Sequence, residues 1–143
     1  MSKLFFRYGA MNSGKSTAML QVAHNYEERD QRVVLVKSSV DTKGNDQIVS
    51  RLGVTRTADI LLSPGQDLRA ALHERDTESG QDIACVLIDE AQFLTPEQVD
   101  QALAVAVLDG IPVVAFGIRT DFRTRAFPGS QRLMEVAHSL QEM

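Results

Sequence analysis

Four apolar runs constrain this chain more than any other feature: Leu4-Phe5-Phe6, Val33-Val34-Leu35-Val36, Ile83-Ala84-Cys85-Val86-Leu87-Ile88, and Ile111 to Phe116. Each is continuous. A strand with one wet face alternates apolar and polar residues, whereas a continuous run needs cover on both faces, as parallel strands between layers of helix have. Asp59-Ile60-Leu61-Leu62 is a shorter run of the same kind. Helix-length stretches lie between the runs. Met19, Val22, Ala23 and Tyr26 form an apolar stripe on a helix beginning near Gly14. Thr95-Pro96-Glu97-Gln98 reads as a capping box with proline at the first helical position, Leu94 stapling onto Val99. Val99, Ala102, Leu103, Ala106 and Val107 then share one face. Ser63-Pro64-Gly65-Gln66 repeats the start signal before Leu68, Ala71 and Leu72, and Leu133, Val136, Ala137 and Leu140 predict a last helix ending just before Met143. Ser38 to Asp46 reads as a polar loop. This alternation predicts an α/β fold: a mostly parallel central sheet flanked by helices, with right-handed crossovers. The 143 residues suit one domain, 1–143.

Composition removes several classes of function. Fifteen Lys and Arg against nineteen Asp and Glu leave a net charge of −4, which argues against a protein that coats nucleic acid. The single cysteine, Cys85, forms no internal disulfide and no all-cysteine zinc site, and suits a reducing compartment. Cys85 itself reads as a small buried hydrophobe, and Met11 and Met19 as packing residues. No apolar run approaches the roughly 18 residues of a membrane helix. The opening Met1-Ser2-Lys3-Leu4-Phe5-Phe6-Arg7-Tyr8 is too short and too soon polar for a secretory signal. The expected location is the cytoplasm. His24, His73 and His138 fall on predicted helices among polar neighbours and read as surface residues.

The chemistry begins at Gly9-Ala10-Met11-Asn12-Ser13-Gly14-Lys15-Ser16, which fits G-x-x-x-x-G-K-[ST] at every fixed position, between a predicted strand and a predicted helix. Gly9 and Gly14 let backbone N–H groups turn inward around a phosphate. The new helix adds the positive end of its dipole. Lys15 is a compact cation for the β and γ phosphates, and the Ser16 hydroxyl suits Mg²⁺.

A second signal is Val86-Leu87-Ile88-Asp89-Glu90, two carboxylates ending a buried strand. Asp89 suits the second magnesium-binding acid, and Glu90 suits a general base. Side chains alternate along a strand, so Glu90 must lie where the strand has already turned if both are to serve one site. A base there activates either water, giving an ATPase, or a bound alcohol, giving a kinase. The pattern alone leaves both open. Gly117 to Gly129 then carries Arg119, Arg123 and Arg125 with Phe122 and Phe127, and Arg132 lies just beyond. One of these arginines is a candidate for stabilising a transferring phosphate.

Gly9 to Thr17, Ile88-Asp89-Glu90-Ala91-Gln92-Phe93, and Gly117-Ile118-Arg119-Thr120-Asp121-Phe122-Arg123 with Phe127 occur in this order. Together they resemble the cytosolic, zinc-containing thymidine kinase family, over essentially the whole chain. The resemblance implies a P-loop NTPase fold of the RecA-like kind. It implies transfer of the ATP γ-phosphate to the 5′-hydroxyl of thymidine, with ATP and Mg²⁺ required. It makes Glu90 the catalytic base and assigns magnesium to Ser16 and Asp89. ATP contacts are expected at Gly9, Ala10, Met11, Asn12, Ser13, Gly14, Lys15, Ser16, Asp89, Glu90, Ala91 and Gln92. Phe93, Ile118, Phe122 and Phe127 are expected to line the nucleoside pocket. A homo-oligomer, usually a tetramer, inhibited by the pathway's triphosphate end product, is implied too.

Two departures from the family bear on that expectation. Members continue into a small lobe in which four cysteines bind zinc, with a lasso-like loop over thymidine. This sequence is expected to lack that lobe and its zinc site. Asp41-Thr42-Lys43 also has lysine where the family commonly has arginine, so Lys43 meets phosphate without a bidentate fork. The rival expectations are an ATP-binding module without kinase activity, its substrate-closing lobe missing, and an ATPase acting on nucleic acid, which the overall acidity disfavours.

Overall fold

In a computed structural model, which describes residues 1–10, 14–40, 46–50, 53–79, 82–119 and 127–143, the apolar runs become neighbouring strands of one sheet. They are β1 (Leu4–Tyr8), β2 (Arg32–Ser38), β6 (Ile83–Asp89) and β7 (Val113–Gly117); β5 (Ile60–Leu62) and β8 (Ser139–Glu142) form the edges. The order is β5-β2-β6-β7-β1-β8, and every pairing is parallel. The helices are α1 (Lys15–Glu27), α2 (Leu68–Ser79), α3 (Pro96–Val107) and α4 (Pro128–Val136). The α/β architecture read from the sequence is the one observed. Among the described residues no helix is long and apolar enough to cross a membrane.

Two cores explain why the runs are continuous. Val34, Val36, Val86 and Ile88 enter a core with Leu68 and Leu72 of α2, Val99, Ala102, Val105 and Ala106 of α3 and Leu133 of α4. Their immediate neighbours Val33, Leu35, Cys85 and Leu87 enter a second core with Met19 and Ala23 of α1 and with Phe116. Alternate residues of one run thus feed opposite faces, so no position on β2 or β6 is left for a polar side chain until the strand ends. Cys85 is fully buried, and burial pushes its thiol up to about 11, as suits a packing residue.

The capping box of α3 forms as read: Thr95 Oγ1 accepts from Gln98 N–H at 3.1 Å, and Gln98 Oε1 accepts from Thr95 N–H at 3.1 Å. Gln98 does more than cap. Its Nε2 donates to the carbonyls of Ser63 (2.7 Å) and Gln66 (2.9 Å), tying the approach to α2 onto α3.

Three local readings need correction. The Ser63–Gln66 signal is a turn rather than a helix start; Asp67 caps α2 instead, its Oδ1 accepting from Ala70 N–H at 3.0 Å. The last helix stops at Val136. Beyond it the chain extends, and β8 pairs with β1, because the backbone of β1 would otherwise face water along one side. His138 is therefore not helical: its Nδ1 accepts from Leu4 N–H at 3.0 Å, and its own N–H donates to Leu4 O at 2.8 Å. Leu140, counted in a core stripe, is 44% exposed on that edge. Finally, a hairpin of β3 (Gln47–Val49) and β4 (Thr55–Thr57) escaped the reading, its strands being too short for periodicity. Arg56 grips Glu27 of α1 with two bonds of 2.6 and 2.7 Å, and Ile48 plugs the α1-side core.

Candidate active site

The three motif-bearing strands lie side by side as β6-β7-β1. Parallel pairing aims their carboxyl ends the same way, so the segments leaving the three strands collect at one edge of the sheet. Gly9, just past β1, donates its N–H to Gly117 O of β7 at 3.2 Å.

Gly14 caps α1 at φ 84°, a left-handed conformation that glycine adopts without penalty. Gly14 has no side chain with which to cap the helix, and a helix N-terminus uncapped by its own first residue suits an anion. Lys15 Nζ donates to Ala10 O at 3.0 Å. Burial lowers the Lys15 pKa, opposed by the charges of Glu90 and then Asp89, so one ammonium feels both acids. Met11, Asn12 and Ser13 lie outside the described residues, as do Lys43, Phe122, Arg123 and Arg125.

Asp89 ends β6 and is 4% exposed. Burial, and next the charge of Glu90, push its carboxyl up to about 6, against the Glu90 N–H, Lys37 and Lys15. The Glu90 N–H donates to Asp89 Oδ1 at 3.0 Å. Glu90 itself takes φ 53°, and the chain then enters a 3₁₀ turn at Ala91–Phe93. The strand has therefore turned at Glu90, as the two-carboxylate reading requires. A left-handed conformation on a residue with a Cβ costs on the order of 1 kcal/mol or more and persists where the surroundings impose it.

The donor set suits magnesium. Ser16 and Asp89 offer hard oxygens, and a nearly buried carboxyl that retains its proton to about pH 6 gains from a divalent cation. Among the described residues no three His, Cys, Asp or Glu side chains cluster. Magnesium commonly keeps water and phosphate oxygens in its shell, so two protein oxygens suit it.

Just past the acids in the chain, Phe93 meets Phe127 through their rings. Ile118 lies just past β7; its N–H donates to Gln92 Oε1 at 3.3 Å and its carbonyl accepts from Ser130 Oγ. The structure thus joins Phe93, Ile118 and Phe127 through the 3₁₀ turn and the start of α4. Arg119 lies 5.8 Å from the Tyr8 ring centroid, whereas Arg132 is committed to Asp100 (2.8 Å) and Glu135 (3.4 Å). Gln92 is 3% exposed and gives its side-chain nitrogen to Glu90 Oε2 at 2.5 Å.

The sequence reading missed the supports. A Cβ on Gly117 would lie 2.7 Å from Gln92 Oε1, and one on Gly129 would lie 2.5 Å from Leu94 O and 2.9 Å from Ala91 O. Both glycines permit backbone contact behind the acids; their signal was a glycine at the end of a buried strand and another inside a helix start.

A family model described as thymidine kinase matches residues 2–143. A thymidine kinase of Idiomarina loihiensis is 51% identical over 144 aligned residues, spanning all of this chain and 73% of that protein. One from Rhizobium meliloti is 45% identical with the same coverage, and that of Enterobacteria phage T4 is 40% identical, again over all of this chain and 73% of its own length.

Proposed function

The chain belongs to the thymidine kinase family, and we propose that it transfers the γ-phosphate of ATP to the 5′-hydroxyl of thymidine, forming dTMP. One observation carries the reading: Asp89, nearly buried, and Glu90, turned out of the strand at φ 53°, both act electrostatically on Lys15 at the start of α1. Phosphoryl transfer requires in-line placement and charge neutralisation more than covalent help.

In this reading the N–H groups from Gly9 to Ser16 cradle the phosphates, and Lys15 leaves the Ala10 carbonyl for the β and γ oxygens. Ser16 and Asp89 would hold Mg²⁺, which neutralises charge on the phosphates. Glu90 accepts the 5′-hydroxyl proton. Ala91 borders the nucleotide, and because the Gln92 side-chain amide is spent inside the protein, an ATP contact there falls to its main chain. Phe93, Ile118, Phe122 and Phe127 would line the pocket with apolar side chains suited to the flat face of the base and its methyl group. Cytoplasmic residence and assembly into a homotetramer belong to the same reading.

The test is an assay with ATP and Mg²⁺ across the four deoxynucleosides. Phosphorylated thymidine supports the reading. ATP binding without transfer to any nucleoside identifies a nucleotide-binding module, and phosphate release stimulated by DNA identifies an ATPase.

A further inference from the structure

Gln92 sits where the two halves of the candidate site meet, yet the reaction as described uses nothing from its side chain. We propose that Gln92 is a positioning residue for phosphoryl transfer, holding the Glu90 carboxylate in one orientation and tying it to the nucleoside side of the site. The proposal rests on Glu90 being the base.

A side-chain amide carries a donor and an acceptor at separate corners. Glu90 Oε2 needs a donor and the Ile118 N–H needs an acceptor. Gln92 supplies Nε2 to the first at 2.5 Å and Oε1 to the second at 3.3 Å. Only a side chain with a donor at one corner and an acceptor at the other satisfies both, so the partners also fix which way the amide is turned. A glutamate in its place has two acceptors and faces Glu90 with like charge. A methionine of similar length bonds neither partner.

Packing makes the amide rigid. Gln92 is 3% exposed, and Gly117 lets it lie against β7, where a Cβ would come 2.7 Å from Oε1 and 3.0 Å from the Gln92 N. The residue it touches is held a second time through the next peptide, since Ser130 Oγ donates to Ile118 O. A continuous path therefore runs from Ser130 at the start of α4, through Ile118 and Gln92, to Glu90. Phe127 and Phe93 flank the same path. Only one carboxylate oxygen of Glu90 is used: among the described residues Oε1 accepts no hydrogen bond, which leaves it for the proton of the substrate alcohol. An unheld glutamate would spread over several rotamers, and misplacement by about 1 Å can cost about 100-fold in rate.

The experiment is a double-mutant cycle. Gln92→Met and Gln92→Glu are each made in the parent chain and in Glu90→Gln, with ATP affinity and melting temperature measured alongside. The proposal expects kcat for thymidine to fall about 10- to 100-fold in both single variants, with ATP affinity within about twofold of the parent. It expects no further loss when either is added to Glu90→Gln, because Gln92 acts through that carboxylate. A folded Gln92→Met chain with kcat within about threefold of the parent overturns it, as do losses that multiply with those of Glu90→Gln. Normal turnover in Glu90→Gln alone removes the base and is recognisable as failure of the underlying reading. If a variant does not fold or the parent lacks turnover, side-chain amide NMR decides: the Gln92 Nε2 protons shift upfield in Glu90→Ala, and unchanged resonances overturn the contact.

Discussion

The rings of Phe93 and Phe127 meet edge to face, their centroids 5.6 Å apart and their planes at 81°. One ends the 3₁₀ turn behind the acid pair and the other precedes α4, so a contact between distant segments forms one wall of the proposed nucleoside pocket. Phe127→Ala should raise KM for thymidine about tenfold, the worth of an aromatic pair plus lost contact area, and leave KM for ATP unchanged. Steady-state kinetics with each substrate varied separates the two. An unchanged thymidine KM makes the pair ordinary packing.

Lys15 is parked on the Ala10 carbonyl at 3.0 Å. Lys15→Ala should leave the fold nearly as stable and weaken ATP binding about 10- to 100-fold, since hydrogen bonds to charged groups contribute about 1.5–3 kcal/mol. Titration calorimetry reads this directly, and unaltered affinity dismisses the cradle.

Asp89 makes stability depend on pH. Its carboxyl is raised from 3.8 to about 6, so the folded chain keeps a proton that the unfolded chain has released. The associated stability is complete below about pH 3.8 and is lost as pH rises through about 6. In buffer free of divalent cations, Asp89→Asn should flatten this decline and exceed the parent at pH 8 by roughly 3 kcal/mol, about two pK steps. Denaturant melts from pH 4.5 to 8 test it; parallel curves for the two proteins would count against a buried, proton-retaining Asp89.

Glu90 at φ 53° invites a comparison in which only a Cβ differs. Glu90→Gly should be more stable than Glu90→Ala by about 1 kcal/mol, the reverse of the usual order, because both lack the carboxylate and only alanine bears left-handed strain. Both should lose turnover.

Gly129 faces backbone, not flexible side chains. Gly129→Ala should cost about 2 kcal/mol, since α4 must move off the Leu94 and Ala91 carbonyls. A melting temperature equal to the parent's would mean that the close packing there is slack.

Much of this could be read from the chain because single residues carry their own reasons. Val33 to Val36 had to be covered on both faces, Thr95 had its capping partner three residues on, and Gly14-Lys15-Ser16 combined a turn, a charge and a helix start. What escaped depends on partners distant in sequence. β8 exists because β1 has an edge to cover, and Leu140 at helical spacing from Leu133 concealed it. Asp67 displaced Ser63 as the cap of α2 because Gln98 draws the Ser63 and Gln66 carbonyls away. Gln92 resembled one more polar residue in a motif; only the approach of Ile118 and the bare Gly117 gave its amide a task.

The parallel pairing of β1 has a consequence for biosynthesis. Its two sheet partners are residues 113–117 and 139–142, so Phe6 leaves the ribosome more than a hundred residues ahead of the strands that will shelter it. The proposed nucleotide cradle that begins at Gly9 is consequently secured only when β7 arrives, since the Gly9 N–H bonds Gly117 O. A nascent chain should not bind ATP until residues 113–117 have emerged, and until then its amino-terminal strand lacks the sheet partners that cover it.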